Sequence, residues 1–318
     1  MGRSIAAFYT PDDGLEHAIQ IVEPAPGQNS GFPIMDVTFS PETQGHIAPA
    51  AAFTPLNTQR TIGATYSPID GYRYIFFATT DNKVFWSRYT GNYKNPPNDP
   101  ILRGQYPLVN ELLGYPPSSI VDLAAYFSGG QLEVLVLMKN GDLWRMGGEP
   151  WSNQLSWSLI PFFARFIGGR RLAVFEGAGW GHVIIATIHD IVEVYYTWNR
   201  WGQVKIWTFD KQIIDVGTFY TPEDGVAHII VATTALNQRT DVHEITFVPA
   251  QMPPTLRQLG TVNFIIHSLG AYVKPDLGRH VIMLEAPVAG PPVDLYLSWY
   301  YPGWVGFQYS SWPPLQAW

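Results

Sequence analysis

The stretch Phe219–Thr234, FYTPEDGVAHIIVATT, repeats the pattern of Phe8–Glu23, FYTPDDGLEHAIQIVE, which begins 211 residues earlier. A unit written twice at such a distance calls for a search between the copies. Related stretches occur at Ala64–Trp86, Ala124–Trp144, Leu172–Tyr196 and Leu269–Trp299. Their aromatic anchors, Tyr9, Tyr66, Tyr126, Phe175, Tyr220 and Tyr272, stand 57, 60, 49, 45 and 52 residues apart. The repeat is loose, and it fills the 318-residue chain.

Each unit has the same plan. A short apolar strand ends in an aromatic, and a Pro/Asp/Gly turn follows (TPDDG, SPIDG, TPEDG). A β-branched second strand such as HIIVAT comes next, then a loop, an alternating third strand such as DVHEITF and a weaker fourth such as QVKIWTF. Four short strands per ~50 residues, repeated, specify an all-β, six-bladed β-propeller with four antiparallel strands per blade. The blades are expected at roughly 1–58, 59–118, 119–168, 169–212, 213–263 and 264–318, forming one domain. Asn110–Tyr115 (NELLGY) suits a single helical turn in a loop. One blade cannot bury both its faces, whereas six in a ring bury each face against a neighbour. That arrangement gives the 17 Tyr, 17 Phe and 12 Trp a packing role. The chain ends must meet to close the ring.

Composition narrows the partners. Charged residues make up 14% and the net charge is −7, with no Lys/Arg cluster, which excludes a nucleic-acid partner. Without Cys there is no disulfide or thiolate chemistry. No apolar run spans a bilayer, and the N-terminus lacks a signal-peptide core, so a soluble, cytoplasmic protein is expected. So apolar a surface is compatible with a homodimer.

The sequence lacks HExxH, GxSxG and GxxxxGK[ST], and Gly177–Gly181 (GAGWG) reads as a turn between strands. Two columns of the repeat are richer in chemistry. The second strand opens with His17, Tyr74, Glu133, His182, His228 and His280. These His lie on second strands, too far from the axis to share one ion, so no metal is expected. In the third strand Glu193 aligns with Glu244, beside Trp86, Arg145 and Leu297, with blade 1 unassigned. Trp201 follows Glu193 by eight residues. His182, Glu193 and Trp201 together are expected to clamp a sugar, with His donating, Glu accepting and Trp stacking. His228 and Glu244 form a second candidate pair, and Trp180 is a further ligand-binding candidate.

At these columns the chain resembles the fungal fucose-specific lectins, six-bladed propellers that bind sugar between adjacent blades. Members of that family open the second strand with Arg, place Glu in the third and a Trp before the next. Here His182, Glu193 and Trp201 match best, His228 and Glu244 follow, and the Arg is missing from every blade. Arg is a permanent forked donor that a largely neutral His does not replace. The chain also resembles a divergent branch of lectin-like fungal propellers, the hetero-Diels–Alderases of tropolone–sesquiterpenoid biosynthesis. That resemblance implies a pericyclase joining two small apolar substrates, a quinone methide and a terpene, without any cofactor. An apolar pocket would hold the partners in a near-attack pose, and a donor would stabilise developing negative charge. Candidate catalytic residues, on loops before first strands and between second and third strands, are Arg60, Arg170, Arg171, Lys211, His189 and Phe264. The alternatives are a lectin for glycans with altered specificity and a protein-interaction propeller.

Overall fold

The computed structural model describes residues 5–21, 34–39, 46–51, 58–79, 84–89, 119–148, 156–160, 166, 168–177, 179–197, 200–249, 253–275, 278–285, 295–300 and 308–312. All secondary structure among them is β, in six sheets of sequence-consecutive strands. Blade 1 holds β1 (Ile5–Thr10), β2 (Leu15–Ile21), β3 (Ile34–Phe39) and β4 (His46–Ala51). Blade 2 holds β5 (Thr58–Tyr66), β6 (Arg73–Thr79) and β7 (Val84–Tyr89). Blade 3 holds β8 (Ile120–Ser128), β9 (Gln131–Met138), β10 (Leu143–Gly148) and β11 (Ser156–Leu159). Blade 4 holds β12 (Arg171–Gly177), β13 (Trp180–Ala186), β14 (Asp190–Thr197) and β15 (Arg200–Thr208). Blade 5 holds β16 (Ile213–Thr221), β17 (Val226–Thr234), β18 (Thr240–Phe247) and β19 (Thr255–Val262). Blade 6 holds β20 (Ile266–Val273), β21 (Arg279–Glu285), β22 (Leu295–Tyr300) and β23 (Gln308–Trp312).

The expected four antiparallel strands per blade are present in five blades, and blade 2 has three among the described residues. Asn110–Tyr115 lies outside the described residues.

Each inner strand packs beside the next, and β20 packs beside β1 to complete the circle. The inner strands turn small residues toward the axis: Ala6 and Ala7, Gly63 and Ala64, Ala124 and Ala125, Ala173 and Val174, Gly217 and Thr218, Gly270 and Ala271. Small side chains let six strands converge. A Cβ on Gly270 would stand 2.6 Å from the Cβ of Ala7, so glycine permits closure at the seam.

The core lies between blades. One apolar cluster fills each of the six interfaces, for example Ile19, Ile21 and Phe8 of blade 1 against Ile62, Ile75 and Phe77 of blade 2. A strand with apolar neighbours on both faces reads as a continuous hydrophobic run. All seven residues of β2 are accordingly buried, as are seven of the nine residues of β17, whose two end residues reach solvent.

Where the inner strands begin, a polar collar ties the blades together. Buried Asp122 accepts from the Thr61 hydroxyl of blade 2 (2.6 Å) and the Leu172 amide of blade 4 (2.8 Å). Asp215 likewise accepts from the Ser268 hydroxyl (2.9 Å) and Leu269 amide (2.8 Å) of blade 6, and Arg171 of blade 4 lies 3.2 Å away. At the seam, Glu16 of blade 1 is held by Tyr272, Lys274 (2.8 Å) and His280 (3.2 Å) of blade 6. Burial pushes the Glu16 carboxyl up, but these partners outweigh it and bring the group down to about 2. The described strands of blades 1 and 6 come from opposite chain ends without exchange, so side chains close the ring.

Candidate functional site

Backbone pairing places the second-strand column at one level in every blade. His17, Tyr74, Glu133, His182, His228 and His280 pair with Phe8, Thr65, Tyr126, Phe175, Phe219 and Tyr272. Each His ring stacks on its inner-strand aromatic, with centroids 5.0, 4.7, 4.6 and 5.3 Å apart for His17, His182, His228 and His280. Stacking thus fixes each of these rings against its own blade, and His280 also reaches Glu16 of blade 1.

The third-strand column also aligns. Ile19 pairs with Asp36, Phe76 with Trp86, Leu135 with Arg145, Ile184 with Glu193, Ile230 with Glu244 and Ile282 with Leu297. Asp36 is thus the blade 1 member that sequence alone leaves unassigned. His and acid meet in three blades: His17 Nδ1 to Asp36 2.8 Å, His182 Nδ1 to Glu193 2.6 Å, His228 Nδ1 to Glu244 2.8 Å.

The repeated turn explains itself here. Thr10 Oγ1 lies 2.9 Å from His17 Nε2, and Thr221 Oγ1 lies 3.1 Å from His228 Nε2. Asp13 and Asp224 cap the same turns, bonding the threonine hydroxyls and the Leu15 (3.0 Å) and Val226 (3.1 Å) amides. In TPDDG and TPEDG the threonine and the second acid lock the turn onto the stacked histidine. The Thr–His–acid chain looks like a nucleophilic triad, but both threonines are buried and hydrogen-bonded within the turn. We assign it to structure.

A third column, one residue before the histidines, faces the preceding blade: Glu16, Arg73, Leu132, Gly181, Ala227 and Arg279. Parity puts it there, since Arg73 shares its strand face with Ile75 and Phe77 in the blade 1–2 cluster. Every interface therefore combines the histidine and acid columns of one blade with this residue from the next. Sequence alignment within single blades finds no Arg, but Arg73 and Arg279 supply one across the interface.

At blades 5–6 the result is an open cavity of about 370 Å³ lined by Asp224, Val226, His228, Glu244, Thr246, Thr255, Arg257 and Arg279. Glu244, 2% exposed, accepts from His228 and from Arg279 Nη1 (3.2 Å) on Oε1, and from Arg257 Nη2 (2.7 Å) on Oε2. Burial holds the His228 imidazole below its ordinary range against the pull of Glu244, and Arg279 adds to the depression. Arg257 and Arg279 went unnoticed in the sequence because they lie 13 and 35 residues beyond Glu244, on other strands.

The expected clamp of His182, Glu193 and Trp201 divides between two faces of blade 4. Glu193 pairs opposite Ile184, which faces blade 5, whereas Trp201 pairs opposite Tyr196 and packs into the blade 3–4 cluster. The Trp201 ring lies 4.8 Å from that of Tyr196. A hairpin turn intervenes, so the eight-residue spacing does not preserve the face. Trp180 opens β13, half-buried, paired with Gly177 across the turn. Gly179 takes a φ of 78° in this turn, as the GAGWG reading anticipates.

The candidate catalytic residues gather where the inner strands begin, the face opposite the repeated turns. Arg171 belongs to the polar collar with Asp215. Lys211 pairs with Asp241 (2.7 Å), and the exposed His189 ring lies 3.1 Å from the Lys211 carbonyl. Arg170 is exposed, and Phe264 is buried between blades 5 and 6. Arg60 lies on β5, its side chain outside the described residues.

The fold is that of six-bladed β-propeller lectins. A SapL1 lectin solved with α-methyl fucoside superposes with a TM-score of 0.66 at 14% identity, covering 99% of this chain and 97% of that one. A variant of the Aleuria aurantia lectin in complex with Fucα1-6GlcNAc gives 0.65 at 14% identity, covering 97% and 94%. AofleA from Arthrobotrys oligospora gives 0.62 at 11%, covering 97% and 86%. A chain of a nidogen–laminin complex also matches, at 0.55 and 10% identity over 91% and 94%, so the architecture extends beyond lectins. No protein-family model and no curated protein matches the sequence.

Proposed function

We propose that this protein is a lectin-like propeller that binds a saccharide in the blade 5–6 cavity. The observation that carries the reading is Glu244, held by arginines from two directions at the wall of an open inter-blade pocket. A fixed carboxylate accepts from one sugar hydroxyl while a guanidinium donates to its neighbour, the complementarity a vicinal diol needs. The fucosides bound by two structural neighbours make a saccharide the natural class to test. The test is a glycan array including fucosylated and methylated sugars, run with wild type, Glu244→Gln and Arg279→Ala. Binding reduced at least ~10-fold in both variants is expected, in line with loss of charged hydrogen bonds. A blank array for folded wild-type protein sinks the reading.

A second reading is the pericyclase, uniting a quinone methide and a terpene. It is favoured by the interfaces that lack an acid–arginine set, with Trp86 and Leu297 standing where the acid would be. Incubating a terpene alcohol and a quinone-methide precursor with the protein, and analysing for a cycloadduct above the uncatalysed background, decides it.

A further inference from the structure

We propose that the blade 2–3 interface is a binding site for an apolar ring carrying a carbonyl oxygen. Its starting point is a pair of orphaned donors. The indole N–H groups of Trp86 and Trp144 are both buried and have no hydrogen-bond partner among the described residues. Native proteins rarely leave such groups unmatched, so a pair at one interface needs an acceptor from elsewhere. Trp86, on β7, pairs opposite Phe76, and Trp144, on β10, pairs opposite Val136. Phe76 and Val136 belong to the cluster between blades 2 and 3, so the two indoles face the same interface from its two sides.

Trp86 occupies the position that Glu244 holds in blade 5. An acceptor has been exchanged for a donor on an aromatic plate, which inverts the ligand chemistry. The surroundings agree. The Tyr74 ring lies 6.0 Å from Trp86 at 27°, Tyr72 lies 6.4 Å from Tyr74, and the Arg88 guanidinium sits 4.7 Å over Tyr72. Tyr72, Trp86, Phe127 and Trp144 are half-buried, so the cluster reaches the surface. Asp70, the nearby carboxylate, already accepts the Tyr74 hydroxyl (2.6 Å) and the Tyr72 amide (3.2 Å). Indole and guanidinium groups only donate. The site therefore offers aromatic surface and donors, which suits a flat apolar molecule with an acceptor and disfavours a polyol that must also donate. The site stands independently of the saccharide reading.

The test uses two probes that differ only in the acceptor, 2-acetylnaphthalene and 2-ethylnaphthalene, added to the full chain. Titrations follow the indole N–H resonances by ¹H–¹⁵N NMR, with Trp86→Phe and Trp144→Phe identifying the two signals among 12 tryptophans. The ketone is expected to shift the Trp86 or Trp144 signal downfield and to bind about fivefold tighter than the hydrocarbon, one hydrogen bond's worth. Phe at the responding position should erase that preference, the ketone then binding no tighter than the hydrocarbon to the same variant. Equal binding of the two probes, or a preference that survives both substitutions, overturns the proposal. So does failure of the ketone to move either signal, which would leave water as the indoles' partner.

Discussion

The blade 1–2 and blade 5–6 interfaces begin from nearly the same words, TPDDG with His17 and TPEDG with His228, and end in opposite states. In both, a threonine, a stacked histidine and an acid line up, and the next blade sends in an arginine. At blades 1–2 the arginine is sealed. Arg73 is 0% exposed, bonding Asp13 and lying 3.3 Å from His17 Nε2. At blades 5–6 Arg279 instead reaches the third-strand acid, and the space beside it stays open. One methylene contributes to the difference. Asp36 is short and fully buried against its histidine, whereas Glu244 extends far enough to meet Arg257 and Arg279. A repeated motif thus serves as a joint in one place and as a candidate binding wall in another.

The sharpest way to break the comparison is to remove both arginines in turn. Arg73→Ala empties a fully buried position and leaves the half-buried Asp13 without its cation, and should cost about 3–5 kcal/mol by urea denaturation. Arg279→Ala should cost only about 1–2 kcal/mol, because Glu244 keeps Arg257 and His228 and water can enter the pocket. Equal losses would erase the distinction between sealed and open.

Acid offers a smaller perturbation at a third interface. Glu16 is depressed from its ordinary value of 4.5 to about 2, so its stabilising contribution is complete above pH ~4.5 and fades as pH falls toward 2. In Glu16→Gln that part of the stability–pH curve should flatten, as read from thermal melts across this range. The mildest test concerns Trp201. Trp201→Ala should lower stability by about 2 kcal/mol through lost packing while leaving saccharide affinity unchanged, as measured by calorimetry. A loss of affinity would place the ligand on the blade 3 side of the sheet.

What the sequence made legible follows from period. The six units, their strand plan and the two chemical columns were readable because strand alternation and turn chemistry are local. Asp36, Arg73, Arg257 and Arg279 were not, since each acquires its meaning from a partner on another strand or blade. The face of Trp201 was lost for a related reason. Counting residues preserves parity along one strand, but the turn between Tyr196 and Trp201 resets it. The polar collar left a faint signal, a Thr, Asp, Arg, Asp, Ser series at positions 61, 122, 171, 215 and 268 just ahead of the small axial residues.

The seam carries a consequence of its own. Because the described strands of blades 1 and 6 are not shared, Tyr272 and Lys274 meet blade 1 through their side chains and Gly270 leaves room for Ala7, the joint between blades 6 and 1 resembles the other joints in kind. Such a ring has no privileged origin. A circular permutant, with a linker joining the present ends and a new opening in the loop between β15 and β16, would cut no sheet and leave every column facing its present neighbour.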